Sequence, residues 1–346
     1  MTPIVIQGCG AVSPAGWGMK ALREALQANQ AIPCRDLQRP GWSKPLRVRQ
    51  VPPANPRPSF LAHARLRRTS PITHYLVAAA LEALGAEAAR VQAGTVRLGI
   101  IVCVLSGCVN YSRRFYDETL RDPATASPLI FPETVFNAPA SHLAALLGTT
   151  AINYTLVGDP GTYLQGLALG AQWLLEETVD GCLVVGAEEM DWLTSDAIGH
   201  FTRSIILGEG AGALYLKREA SSGAQATLSA ITNSILIFDR SSREAAAEQM
   251  RALLPEGGTN DLLCDGLHDH PELDRAESLA WKDWPGSRLS PRTILGDGLA
   301  VSAAWQCVAA IDSLRQGHYA GANVSIVGRD QQAIGARFVS MPRTLP

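Results

Sequence analysis

Short, nearly continuous apolar runs recur along the chain at residues 4–6, 98–104, 153–157 and 181–185. Runs of this length, rich in β-branched side chains, suit central strands covered on both faces. Between them, apolar positions fall at helical spacing over 19–28, 73–84, 141–147 and 163–177, and the order strand, helix, strand predicts an α/β fold. Residues 205–216, IILGEGAGALYL, read as a glycine-rich turn feeding another apolar strand, and the pattern starts again over 226–237. That restart divides the chain into a first half, 1–220, and a smaller second half, 221–346. The second half carries expected strands near 261–264 and 323–327 and helices over 244–254 and 300–316. Two connections, 38–58 with six prolines and 281–292 with two prolines and two tryptophans, read as irregular surface loops.

Composition narrows the class. A chain of 346 residues, 47% hydrophobic and 18% charged, can bury a large core and does not have the makeup of a disordered protein. A formal net charge of −2 gives no electrostatic case for nucleic acid, and the local run Arg65, Arg67, Arg68 reads as a solvated loop. The seven cysteines are scattered, odd in number and free of CxxC pairs, which fits a reducing cytoplasm. The start MTPIVIQGCG has no basic segment, and the longest apolar run, 98–109, is well short of the roughly 20 residues that span a bilayer. No export segment, no membrane association, no cofactor and no resident metal are therefore expected.

Three stretches bear on chemistry. NYTLVGDPGTYLQG, 153–166, runs from a strand through a tight turn into a helix, a geometry that exposes nucleophiles in many α/β enzymes, yet its tip is Asp159-Pro160-Gly161. Proline has neither a nucleophilic side chain nor an amide proton, and no Gly-x-Ser-x-Gly occurs, so a serine hydrolase is disfavoured. The segment DGLHDHPE, 265–272, gathers metal-capable side chains, but without a second ligand pair it reads as a polar surface loop that turns at Pro271. Gly208-Glu209-Gly210-Ala211-Gly212 precedes a strand instead of opening a helix, which rejects a dinucleotide loop.

Taken in order, IVIQGCGAVSPAGWG, SPLIFPETVFNAPASHLAALLGTTAINYTLVGDPGT, LVVGAEEMD and LGEGAGALYL resemble the β-ketoacyl-acyl-carrier-protein synthases, condensing enzymes of the thiolase superfamily. The resemblance implies a thiolase-type fold of duplicated α/β/α/β/α layers. It also implies losses. Counting from Asn153-Tyr154, the family's acyl-accepting cysteine falls on Pro160. Matching Pro271, Asp274 and Glu277 to the family's first histidine motif puts Gly266 at the histidine. Matching RTILGDGLAVSAAW to the second puts Thr293 there, with the nearby lysine position roughly on Arg288. The family's Gly-Phe-Gly-Gly loop has become Ile326-Val327-Gly328-Arg329, and the chain is shorter between Asp191 and Leu207 and again before Asp261. Condensation needs a thiolate and two imidazoles, so the resemblance implies no catalytic residue at these degenerate positions.

Two functions follow as expectations. The first is a non-catalytic subunit of the chain-length-factor type, which heterodimerises with an active ketosynthase homologue, shapes its acyl tunnel in type II fatty acid, polyketide or polyene biosynthesis, and meets an acyl carrier protein transiently. That subgroup usually carries glutamine where this chain has Pro160. The resemblance places Tyr154, Leu156 and Val157 at the dimer interface, and Phe136 and Asn137 beside it, with Phe131, Phe115 and Tyr116 as further tunnel or interface residues. Arg65, Arg67, Arg68, Arg113 and Arg114 are candidates to face an acidic carrier. The second is changed chemistry on the same fold, a thioesterase or decarboxylase using Asp159 with His268 or His270.

Overall fold

The computed structural model describes residues 4–341 apart from 151, 203, 222 and 330. Five strands of the first half are β1 (Ile4–Ser13), β2 (Leu98–Val104), β3 (Asn153–Val157), β4 (Gly181–Glu188) and β5 (Gly210–Lys217). They lie side by side in the order β3-β2-β4-β5-β1. Five more, β6 (Ala226–Ile231), β7 (Asp261–Cys264), β8 (Ser287–Leu289), β9 (Gly321–Val327) and β10 (Gln332–Ser340), repeat it as β8-β7-β9-β10-β6. In each set three strands are parallel and the remaining two join antiparallel. β1 and β6 pair antiparallel, Ile4 opposite Leu228, so the two sets form one continuous sheet.

The main helices are α1 (Met19–Ala28), α2 (Pro71–Leu84), α3 (Val109–Arg121), α4 (Ala138–Leu146), α5 (Thr162–Leu175), α6 (Ser242–Leu253), α7 (Pro271–Ala280) and α8 (Ala300–Arg315). α5 and α8 fill the central layer, where α8 is buried almost all round, the signature of a helix enclosed by protein. Small residues permit the close approach. A Cβ on Gly186 or Gly212 would come within 2.9 and 2.8 Å of Ala304 Cβ, so sheet and helix touch only because these positions carry no side chain. α2 and α4 cover the outer face of the first strand set, and α6 and α7 that of the second. The expected five layers, α/β/α/β/α, are present.

Three expectations are corrected. Residues 38–58 are not wholly irregular: Leu46–Arg49 forms a small sheet with Arg35–Leu37 and Leu207–Gly208, and Arg49 is buried with its guanidinium on Ile32 O (2.8 Å) and Thr293 O (3.1 Å). Residues 281–292 contain β8 and the start of a short helix, Pro291–Leu295. β3 reads as a doubly covered strand, but it closes one end of the sheet, and none of its five residues is fully buried.

Candidate functional site

The elbow of 158–162 stands between β3 and α5. Asp159 O and Pro160 O accept from the amides of Thr162 (3.0 Å) and Tyr163 (3.2 Å), which starts the helix, and proline at its entrance sacrifices no hydrogen bond. The Asp159 carboxyl faces that helix start. Its Oδ1 accepts from Gln332 Nε2 at 2.7 Å, and its buried Oδ2 has no hydrogen-bond partner among the described residues. Burial raises its pKa, opposed by the bond from Gln332. Two neighbouring glycines are obligatory by contact: a Cβ on Gly328 would lie 2.3 Å from Asp159 Oδ2, and one on Gly161 would lie 2.7 Å from the Gln332 side chain.

Next to the elbow, the ends of β7 and β9 and the start of α8 converge on a buried ion cluster. Asp297 is its centre. Its Oδ2 meets Arg329 Nη2 at 3.2 Å and His268 Nε2 at 3.3 Å, while Oδ1 accepts from Leu299 N (2.9 Å) and Ser302 Oγ (3.2 Å) at the start of α8. Burial alone would raise the Asp297 pKa; Arg292, His268 and Arg329 outweigh it and hold the carboxyl well below its ordinary range. A carboxylate engaged by so many donors is an anchor and a poor proton acceptor.

His268 is the correction in this region. Residues 265–272 read as a polar surface loop, but the His268 side chain is only 5% exposed. Its Nδ1 lies 3.1 Å from Asp274 Oδ1, and its Nε2 lies 2.9 Å from Arg292 Nη1. Asp274 also accepts from the amides of His268 (2.9 Å) and His270 (2.8 Å), and these bonds hold it below its ordinary pKa despite burial. His270 caps α7 instead of joining the cluster. No hydrogen bond joins Asp159 to either histidine among the described residues.

The other expected positions are distributed as follows. Gly266 donates its amide to Glu277 Oε1 (3.1 Å), and its carbonyl accepts from Arg292 Nη1 (3.4 Å). Glu277 is pushed up to about 7 by burial and then by nearby Asp265, itself raised by burial. Thr293 faces away, its hydroxyl donating to Ser290 O at 2.8 Å, and exposed Arg288 donates to Trp281 O. The residues that do reach the elbow region, Arg292 and Asp297, were missed. A signal for Asp297 is Gly296-Asp297-Gly298-Leu299, a glycine-flanked acidic residue that runs straight into α8. Six of the seven cysteines are buried; burial pushes the Cys9 thiol up to about 12, and none stands at the elbow. No cluster of described residues could hold a metal ion.

The aromatic candidates lie on the surface. Phe131 and Tyr116 are 55% and 62% exposed, and Phe131 stacks on half-buried Phe115 at 5.4 Å between centroids. Phe136, beside exposed Asn137, lies over Gly107, where a Cβ would come within 2.5 Å of its ring. Leu120, Leu129 and Val135 in the same stretch of chain are exposed as well. On β3, Tyr154 packs edge-on against Trp173, Leu156 is half-buried, and Val157 is 53% exposed. Arg113 and Arg114 are engaged by Asp191 and Asp117 and by Glu118, respectively.

Over 99% of its length the chain superposes on a structure described as the ishigamide ketosynthase/chain length factor, with a TM-score of 0.79, 19% identity and all of that chain covered. The fold is that of the ketosynthases. Similar too are AntDE:AntF, a type II PKS acyl-carrier protein in complex with its ketosynthase bound to the hexaketide (TM-score 0.80, 16% identity, 98% and 99% of the two chains), and a β-ketoacyl synthase from Burkholderia phymatum STM815 (0.77, 16%, 99% and 100%). No family model matches the sequence, and no curated protein matches it either. Among the described residues of this ketosynthase fold, no helix is long and apolar enough to cross a membrane.

Proposed function

We propose that this chain is a catalytically degenerate, chain-length-factor-like subunit that pairs with an active β-ketoacyl-acyl-carrier-protein synthase and shapes its acyl tunnel. The observation that carries the reading is β3: an apolar strand at an open sheet edge, leading into an elbow tipped by Pro160. A thiolate is the nucleophile condensation requires, and this elbow has none. On this reading Gly266 stands at the first histidine position, and Asp297, not Thr293, at the second, with Arg292 at the lysine position. An ionised carboxylate at a histidine position repels the enolate and oxyanion charge that the histidine would stabilise. Pairing of β3 with the same strand of a homologue would cover Tyr154, Leu156 and Val157, and the patch around Phe131 and Phe136 would extend the contact. The partner supplies the thiol, Phe136 with its neighbours supplies bulk at the tunnel end, and the carrier protein delivers the chain to a polyketide, polyene or fatty acid product.

The test is co-expression of the tagged chain with its genomic neighbours, followed by native mass determination. A one-to-one complex with a cysteine-bearing homologue is expected, and Val157→Asp should abolish it, because the edge would then bury an unpaired charge. A chain that is recovered alone, or whose complex tolerates Val157→Asp, refutes the reading. Asp159→Asn should leave the product profile of the complex unchanged; lost activity would transfer the assignment to chemistry at Asp159.

A further inference from the structure

Beyond the ion cluster, the N-terminus of α6 and the end of β9 border a cavity of about 620 Å³ whose wall includes Arg240, Arg243, Arg329, His270, Glu272 and Leu273. The volume is that of an ordinary small-molecule site. Arg243 is the anomaly. It is 93% buried by accessible surface, and among the described residues it has no hydrogen bond and no ion pair; its Nε is buried without a partner. A guanidinium stays charged in a protein, so burying one unpaired costs several kcal/mol unless something compensates.

Each carboxylate in reach is committed elsewhere. Asp274 is held by His268, Glu277 accepts from the Gly266 amide and the Ser325 hydroxyl, and Asp297 is shared by Arg329 and His268. Asp239 is spent on the helix start, accepting from Ser241 Oγ and Ser242 N, each at 2.7 Å. Glu272 pairs with Arg240 at 3.3 Å in the open, where such a pair is worth little. The wall therefore carries cations in excess: Arg240, Arg243 and Arg329 against Asp239 and Glu272.

We infer that this cavity binds a compact oxyanion, the phosphate or carboxylate group of a small molecule, on Arg243 with Arg240 and Arg329 beside it. A planar fork of N–H donors suits two oxygens of such a group, and the buried site protects that bond from competing water. The inference does not depend on the partner reading, because no residue of β3 lines the cavity.

The test is thermal unfolding of the full chain, or of its complex where one forms, in 20 mM inorganic phosphate, 20 mM acetate, or chloride at matched ionic strength. A specific anion at about ten times its Kd should raise Tm by about 2 °C over chloride. A shift with phosphate but not acetate assigns phosphate, and the reverse assigns carboxylate. R243Q should melt in chloride at or above the wild-type temperature and lose the anion shift. R240Q, altered at an exposed residue, should keep its fold and lose part of it. No shift over chloride, or full retention in either variant, overturns the inference.

Discussion

Replacing Asp297 by Asn tests whether the cluster beside the elbow is an ion anchor. The amide has nearly the same shape, and its Oδ1 can still accept from Leu299 N and Ser302 Oγ, so the start of α8 keeps its cap. What changes is the Oδ2 side, where an NH2 group now faces Arg329 at 3.2 Å and His268 at 3.3 Å, with Arg292 close by. Removing one partner from a buried ion pair costs about 3–5 kcal/mol. Since 23% of the Arg329 side chain is exposed and recovers water, the expected loss sits at the lower end, about 3 kcal/mol. In a chain of this length that lowers Tm by about 4 °C. The acid limb supplies a second readout. Asp297 is held well below its ordinary pKa, so its contribution is present above the unfolded value of about 4 and is lost as pH falls toward the folded one. D297N should therefore approach the wild type as the pH drops below about 4. Urea denaturation at constant m, repeated with R329M and the double variant, measures both effects. A D297N loss of less than about 1 kcal/mol, or strict additivity with R329M, would refute an ion anchor.

Two further predictions concern buried groups. Burial raises Glu188 to about 8, although the amides of Leu105 and Ser106 donate to it. Its folded pKa exceeds the unfolded value of about 4.3, so its stability contribution is complete below that pH and is lost as pH rises toward 8. The stability advantage of wild type over E188Q should shrink from pH 5 to pH 8, and a pH-independent difference in urea midpoint would contradict this. Gly328→Ala should cost about 1–3 kcal/mol, because the new methyl meets Asp159 Oδ2 at 2.3 Å and the fixed carbonyl of Gln332 at 2.9 Å; an unchanged melting temperature would show that the elbow yields.

The sequence pattern revealed the parts of the fold that hydrophobic periodicity controls. The strands at 98–104 and 261–264 and the helix at 300–315 sit where apolar spacing puts them, because each is buried on both faces or all round. Helix α3 escaped notice for the opposite reason: only Val109 is buried, its Tyr116 and Leu120 are exposed, and the helix is held in part by surface pairs such as Arg113–Asp117 and Arg114–Glu118. Residues 265–272 looked like a solvated loop because three of the eight are acidic and two are histidine. The His268 side chain alone is enclosed beside Arg292 and the Asp297–Arg329 pair, and Arg292 and Arg329 lie 24 and 61 positions beyond it, with no local rule to connect them. Thr293 came from counting along a motif; its hydroxyl turns to Ser290 O, while Asp297, at the approach to α8, is the residue that meets Arg329 and His268.

The two ends of the sheet argue for what β3 is for. At the far end, β8 is three residues long, and its exposed positions are Ser287 and Arg288, a short charged edge that discourages pairing with another chain. At the near end, β3 is five residues long, uncharged, and exposes Tyr154 and Val157, with Ile152 exposed just before it. The same fold thus guards one edge and leaves the other open. In a chain that worked alone, the open edge would be an aggregation hazard maintained without benefit; in one that pairs through it, the apolar edge is the association surface itself. The polar interior at the elbow is consistent with that division. Asp297, Asp274 and His268 are tied to cations and to each other, and Pro160 stands in the turn before α5; on the proposed reading these fixed pieces would keep the pairing edge in shape instead of holding reacting groups.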